Sequence, residues 1–294
     1  MTTAIDKYIY CTVKQRFDNK IYVSYSIKEV VDRVDQLQHE LVREAMRMVG
    51  VKSGIEIAFM SDIPSAGSGL GSSSTVTVGV LNALFQYTGR AVDAQELAEL
   101  ACEIEIKILH KPIGVQDQYI ASYGGVQFLQ FGKSGVKAER INLAEEKLDD
   151  LKNYLMVFFT GRTRQAETIL QEQKDNIAKK NKVLRQMAAL AKEGKRVLEQ
   201  GQMERLGRLL DEGWQLKKQL ASKISDPEID AMYTAVKRAG AIGGKISGAG
   251  GGGFLTLFVP TNKRDKVRQA LKGLREMPVG LSHDGSKVIF NIRR

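Results

Sequence analysis

"PSAGSGLGSSST", residues 64–75, places three glycines and five serines in twelve positions. It follows "GIEIAFMSDI" at 54–63, which reads as a strand, and runs into "STVTVGVLNALFQYTG" at 74–89, which reads as a helix ending at Gly89. A strand, a glycine-rich turn and a helix make a phosphate cradle. Glycines let the backbone bend sharply and approach a ligand closely. Successive amide N–H groups and the positive end of the helix then meet an anion. Ser72, Ser73 and Ser74 fall where the helix begins, and their hydroxyls could cap it, bind phosphate or hold Mg²⁺. The loop is not a Walker A motif, because no Gly-Lys-Ser/Thr follows its glycines. Nor is it a dinucleotide loop, because Gly67-x-Gly69-x-Gly71 has the wrong spacing.

A second glycine run, "GGKISGAGGGGFLTLFVP" at 243–260, also leads into an apolar strand. Each glycine costs about 1 kcal/mol against alanine in regular structure. Close backbone approach to phosphates or a sugar is a use that offsets this cost; a hinge is the other reading. Between the two loops lie two carboxylates in largely apolar surroundings, Glu105 near a helix end and Asp117 in "GVQDQ". Phosphoryl transfer needs positioned phosphates, a cation and help for the attacking hydroxyl. One carboxylate could join Ser73 around Mg²⁺, and the other could take the proton of an alcohol. Glu103 competes with Glu105 for the metal role. Thr160, Gly161 and Arg162 end a strand and open a helix, where an arginine could grip a phosphate, and Lys111 is a further phosphate candidate.

The remaining pattern is mixed. "KYIYCTVKQRFDNKIYVSY" at 7–25 reads as a hairpin turning near Asp18-Asn19, and "EVVDRVDQLQHELVREAMRMVGV" at 29–51 as a helix stopping at Gly50. "DAQELAELACEIEIKIL" starts at an Asp93 cap with Glu96 in the capping-box position. Residues 164–220 read as helix broken near Gly194 and Gly201, and "SKVIFNIRR" as a closing strand. This order predicts an α+β protein in two domains, 1–150 and 151–294.

At 43% hydrophobic residues the 294-residue chain can bury a real core. No apolar run reaches the roughly 20 residues a bilayer span needs. The start "MTTAIDKYIYCTV" lacks a signal pattern, so a cytoplasmic protein is expected. Cys11 and Cys102 read as buried reduced thiols, and the three histidines make no metal site. The net charge of +10 is uneven: 16 basic and 20 acidic side chains in 1–150, 28 and 14 in 151–294. Much of the basic excess is mixed with acids at helical spacing, as on a solvated helix face, so neither nucleic acid nor a membrane is expected as a partner.

Pro64 through Ser74, with its Gly69-Leu70-Gly71-Ser72-Ser73 core, resembles the phosphate-loop signature of the GHMP kinases, and Lys245 through Gly253 resembles their C-terminal glycine motif. "IDKYIYCTV", "KPIGVQDQYIASYGG" and "FFTGRTRQAETIL" resemble the heptose-phosphate branch of that family. The resemblance implies a ribosomal protein S5 domain 2-like N-terminal domain and a ferredoxin-like C-terminal domain. It implies ATP and Mg²⁺, and a sugar or sugar-phosphate acceptor, phosphorylated at the anomeric hydroxyl of a heptose 7-phosphate. Pro64, Ala66, Gly67, Ser68, Gly69, Leu70, Gly71, Ser72, Ser73 and Ser74 would bind the nucleotide, with Ser73 and Glu105 on the metal and Asp117 as base. Gln116, Thr160, Gly161, Arg162, Ser247, Gly248, Ala249, Gly250 and Gly251 would face the substrate. Fucose, another hexose or a mevalonate-like alcohol are alternative acceptors, and a nonenzymatic phosphometabolite binder is the alternative outside enzymes. A homodimer is left open. Members of the family begin with a strand and a Gly-Gly-Gly-Thr-Asp type motif; "TTAIDKYIY" matches a point downstream of it, so the resemblance implies that this stretch is missing.

Overall fold

The computed structural model describes residues 1–63, 68–132, 134–162 and 166–292. These gather into two compact units. The first takes the described residues of 7–65, 71–125 and 282–294; the second takes those of 1–6, 66–70 and 126–281.

The first unit holds a four-stranded sheet in the order Ile9–Gln15, Ile55–Ser61, Ile21–Ser24, Lys28–Val31. Ile55–Ser61 runs antiparallel to Ile9–Gln15 and parallel to Ile21–Ser24. The expected hairpin at Asp18-Asn19 therefore does not form. Its two arms are separated by a third strand. Ile55 and Ile57 are fully buried, whereas Ile9–Gln15 alternates half-buried and exposed residues. The more apolar strand takes the covered centre and the alternating one the edge. Asp18 still shapes the connection, accepting from Lys20 N and Tyr22 Oη and pairing with Arg16.

The helix expected from residue 29 begins only at Glu40 and runs to Val49. Residues Lys28–Val31 are strand, and buried Glu29 accepts hydrogen bonds from Tyr25 Oη, Gln38 N and His39 N. Those side-chain bonds satisfy the backbone in a bent conformation until His39 caps the helix. Its end is where the sequence placed it. Gly50 has φ 83° and donates its N–H to Met46 O at 2.9 Å. No atom of the described residues lies within 4 Å of a Cβ built at Gly50. Gly50→Ala should thus cost only the left-handed backbone, about 1 kcal/mol. That is checked as a lower denaturant midpoint at unchanged m-value.

Ser72–Tyr87 is apolar almost all round and buries Val76, Val78, Val80, Leu81, Leu84 and Phe85 in the core with Ile21, Val23, Ile55 and Ile57. Such a helix is held rigidly, and so is its N-terminus. Helix Gln116–Tyr123 is closed off by the C-terminal segment. Ser286 N donates to Ala121 O, Gly125 N to Ser282 O, and Asn82 Nδ2 to Ser286 Oγ, all at 2.8–3.0 Å. The closing strand expected at 286–294 does not form over 286–292, where Ile289 and Phe290 are exposed. Apolar periodicity makes a strand only where another strand lies beside it.

The second unit holds a four-stranded antiparallel sheet in the order Arg275–Glu276, Leu155–Phe159, Phe254–Phe258, Gly243–Ile246. In chain order these strands are fourth, first, third and second, the ferredoxin-like arrangement. Met156, Phe158, Leu255 and Leu257 pack with Ile229 and Val236 of helix Pro227–Ala239 and Val267 of helix Arg264–Ala270. A further sheet joins Thr2–Thr3, Val126–Gly132 and Gly135–Arg140. Helices Asn181–Glu199 and Met203–Lys217 are separated at Gly201, φ 72°, as expected. Gly194 does not break the first of them. It is a packing position, where a Cβ would meet Met1 Cε at 3.6 Å and Leu206 Cδ1 at 3.8 Å. No described helix is long and apolar enough to cross a membrane.

Candidate active site

In the first unit the site grows from the N-terminus of helix Ser72–Tyr87. Gly71 caps it with φ 76°. Asp117 sits in the first turn of helix Gln116–Tyr123, and its carboxyl group packs on that glycine. A Cβ at position 71 would stand 3.2 Å from Asp117 Cγ and 3.4 Å from Oδ2. The missing side chain thus lets a half-buried carboxylate rest at the positive end of a buried helix. Gln116, one residue earlier, is exposed.

Glu105 reaches Ser73 and Ser74, at the start of the same helix, from another direction. After helix Ala94–Cys102 the chain widens into a π-helical turn, Glu103–Ile108, a feature frequent at functional sites. The turn buries Glu105 completely and leaves Glu103 half-buried. Glu105 Oε2 accepts from Ser73 Oγ at 3.2 Å and Ser74 Oγ at 3.4 Å, and Oε1 accepts from Gln118 Nε2 at 3.1 Å. Of the two competing acids, Glu105 is the one beside Ser73. Burial pushes its carboxyl group above the usual range, against the hydrogen bonds from Gln118 and Ser74 and the charge of Lys111. The Lys111 ammonium itself pairs with Glu40 at 2.7 Å. A carboxylate and two hydroxyls are hard oxygen donors at a loop suited to phosphates. They fit Mg²⁺, which takes few protein oxygens and completes its shell with phosphate and water. The described residues contain no cluster of three or more His, Cys, Asp or Glu that could cage a cation alone.

In the second unit the two glycine loops meet. A Cβ at Gly69 would lie 2.7 Å from Ser247 O, and one at Gly248 would lie 2.6 Å from Gly69 Cα. Only bare backbone permits this approach. Ser68 is buried and its Oγ accepts from Leu70 N, while buried Ser247 shares a 2.8 Å hydrogen bond with Thr256. Buried Ala249 accepts from Gln173 Nε2, and Gly251 N donates to Ile224 O beside Gly250. Thr160 donates from N and Oγ1 to Gly253 O, and Gly253 N donates to Arg162 O. Thr160, Gly161 and Arg162 therefore form one wall of the second glycine loop. The Arg162 guanidinium pairs with Asp226 at 2.8 Å and Glu228 at 3.0 Å. Lys217 Nζ donates to Ile246 O and Gly248 O.

The structure thus groups Ser72, Ser73, Ser74, Glu105, Asp117 and Gln116 in the first unit. It groups Ser68, Gly69, Leu70, Thr160, Gly161, Arg162, Ser247, Gly248, Ala249, Gly250 and Gly251 in the second. Pro64, Ala66 and Gly67 lie outside the described residues. Three contributors were not read from the sequence: Gln118, Lys217 and Asp226. Gln118 neighbours Asp117, and Asp226 carries an N-cap signal before Pro227. Nothing in the sequence marks Lys217 among so many helical lysines.

The model of the GHMP kinases N terminal domain matches residues 33–125, and that of the GHMP kinases C terminal domain matches residues 186–276. The chain belongs to the GHMP kinases. This GHMP kinase is 30% identical over 291 residues to the D-glycero-alpha-D-manno-heptose 7-phosphate kinase of Campylobacter jejuni, with 92% of this chain and 84% of that protein covered. It is 31% identical over 210 residues to the L-fucokinase/L-fucose-1-P guanylyltransferase of Bacteroides fragilis, with 69% of this chain but only 22% of that longer protein covered. The crystal structure of a D-glycero-D-manno-heptose 1-phosphate kinase from Bacteroides thetaiotaomicron superposes with a TM-score of 0.74 at 26% identity, covering 96% of this chain and 86% of that one. As a GHMP kinase the chain is an ATP-dependent phosphotransferase.

Proposed function

We propose that this GHMP kinase is a sugar kinase that transfers the γ-phosphate of ATP, with Mg²⁺, to the anomeric hydroxyl of a heptose 7-phosphate. One observation carries the chemistry. At the start of a single buried helix Asp117 packs on Gly71, while Glu105 is held by Ser73 and Ser74. Two carboxylates in such different settings divide the work. Glu105 and Ser73 hold the cation; Mg²⁺, when bound, offsets the charge on the phosphate oxygens. The amides of 68–74 face the phosphates at the helix N-terminus. Asp117 orients the sugar hydroxyl and takes its proton as the bond to phosphorus forms. Thr160, Gly161, Arg162 and the loop 247–251 contact the acceptor. Likeness to heptose-phosphate kinases over nearly the whole chain supports the acceptor, and the shorter fucokinase match supports fucose as the second reading.

The test is ADP release against heptose 7-phosphate, the unphosphorylated heptose, fucose, mannose and mevalonate. Heptose 7-phosphate should exceed every other acceptor by at least about 100-fold in kcat/KM, because a site built for a polar group strongly rejects analogues lacking it. Faster turnover of fucose would move the assignment to the fucokinase reading. ADP and ATP binding with no turnover on any acceptor would leave a phosphometabolite binder.

A further inference from the structure

Gln118 is fully buried, yet its amide is only half used. Nε2 donates to Glu105 Oε1 at 3.1 Å, while Oε1 has no hydrogen-bond partner among the described residues. Turning the amide over would aim its oxygen at the carboxylate, so the orientation is fixed by Glu105. A buried carbonyl oxygen without a partner costs about 1–3 kcal/mol. An apolar side chain of the same shape would avoid that cost but would leave buried Glu105 Oε1 without this donor. What the amide supplies against that cost is the hydrogen bond to Glu105.

Its position explains what it does. Gln118 follows Asp117 in the first turn of helix Gln116–Tyr123. That turn delivers one side chain to Gly71 and the next to Glu105. Glu105 Oε2 meets Ser73 and Ser74, and Gln118 takes the other oxygen. A carboxylate held at both oxygens has a fixed plane. We infer that Gln118 is a positioning residue, which holds the Glu105 carboxylate with Oε2 toward Ser73 and so ties the cation ligand to the helix that carries Asp117. The inference rests on the reading of Glu105 as a ligand of Mg²⁺.

The test measures ADP binding by calorimetry with and without Mg²⁺ for wild type, Gln118→Met, Gln118→Leu and Glu105→Gln. Loss of a group that orients a metal ligand typically weakens metal binding about 10–100-fold. Both Gln118 variants should bind ADP without Mg²⁺ as wild type does. They should lose about 10-fold or more of the affinity that Mg²⁺ adds. In turnover the Mg²⁺ concentration for half-activation should rise by a similar factor, with kcat at saturating Mg²⁺ changed much less. Melting temperatures should stay close to wild type, since the unpartnered oxygen is gone while Glu105 Oε1 loses one donor. If Gln118→Met keeps the full Mg²⁺ gain while Glu105→Gln loses it, Gln118 does not position the ligand and the metal reading stands. If Glu105→Gln also keeps the gain, the metal reading falls, and this inference with it. A drop in Mg²⁺-free ADP binding together with melting temperature would make Gln118 a purely structural residue and overturn the proposal. Should one variant fail to fold, the other carries the same comparison.

Discussion

Asp117→Asn is expected to lower kcat on the preferred acceptor by about 10²–10⁴, the range contributed by a positioned general base. The affinities for ATP and for Mg²⁺·ADP should stay within a few-fold of wild type. Asp117 and asparagine have nearly the same shape, so the packing on Gly71 survives and only the charge and basicity go. Asp117 packs on Gly71, whereas Ser73 and Ser74 contact Glu105, the proposed cation ligand. Steady-state turnover with calorimetric ADP binding on the same preparation separates the two effects. Unchanged kcat would remove Asp117 from the chemistry. A parallel loss of nucleotide affinity would recast it as part of the phosphate site. The anomeric hydroxyl of a sugar is more acidic than an ordinary alcohol, which favours the lower half of the range if orientation dominates over proton removal.

Much of this site was legible because its chemistry is local. The glycines of both loops, the serines at a helix start and the Asp93 and Gly50 caps are short-range signals, and each marks a backbone conformation that few residues can supply. Asp93 accepts from Glu96 N at 2.8 Å, as the capping pattern required. What sequence could not supply was non-local. Ile9–Gln15 and Ile21–Ser24 look like a hairpin until Ile55–Ser61 is known to slide between them. The burial that makes this favourable belongs to a strand that starts only at Ile55, far along the chain from both. Glu29 was read as a helix residue, because a buried carboxylate that satisfies His39 N is invisible to periodicity. Choosing Glu105 over Glu103 had the same difficulty. Both lie in "EIEI", and only the π-helical turn decides which faces Ser73. Gln118, an amide beside a catalytic candidate, has no distinctive pattern in sequence; its meaning lies in the oxygen it touches.

Glu105→Gln should separate stability from activity. Activity is expected to fall at least about 10²-fold, the scale of removing one preorganised electrostatic group from a site, while the metal-free protein becomes more stable. In the absence of a cation Glu105 is a fully buried carboxylate whose hydrogen-bond partners, Ser73, Ser74 and Gln118, are all neutral. Burial raises its folded-state pKa above the unfolded value. Below the unfolded value both states carry the proton and the group costs nothing. As pH rises through the raised folded value, the native state must ionise a buried acid or keep a proton that the unfolded chain has released, and stability is lost. The substituted amide has no such step, and Gln118 can turn its own amide to accept from it. The variant should therefore melt with wild type near pH 4 and above it at pH 8 in EDTA, by on the order of 1 kcal/mol, as when stability is recovered at a functional site. Saturating Mg²⁺ and ADP should narrow or reverse the gap, because ligand binding to the native state stabilises only the protein that can hold the cation. Equal melting at pH 8 in EDTA would mean that Glu105 already has its charge balanced in the folded chain, and the case for a cation at this position would lose its physical basis.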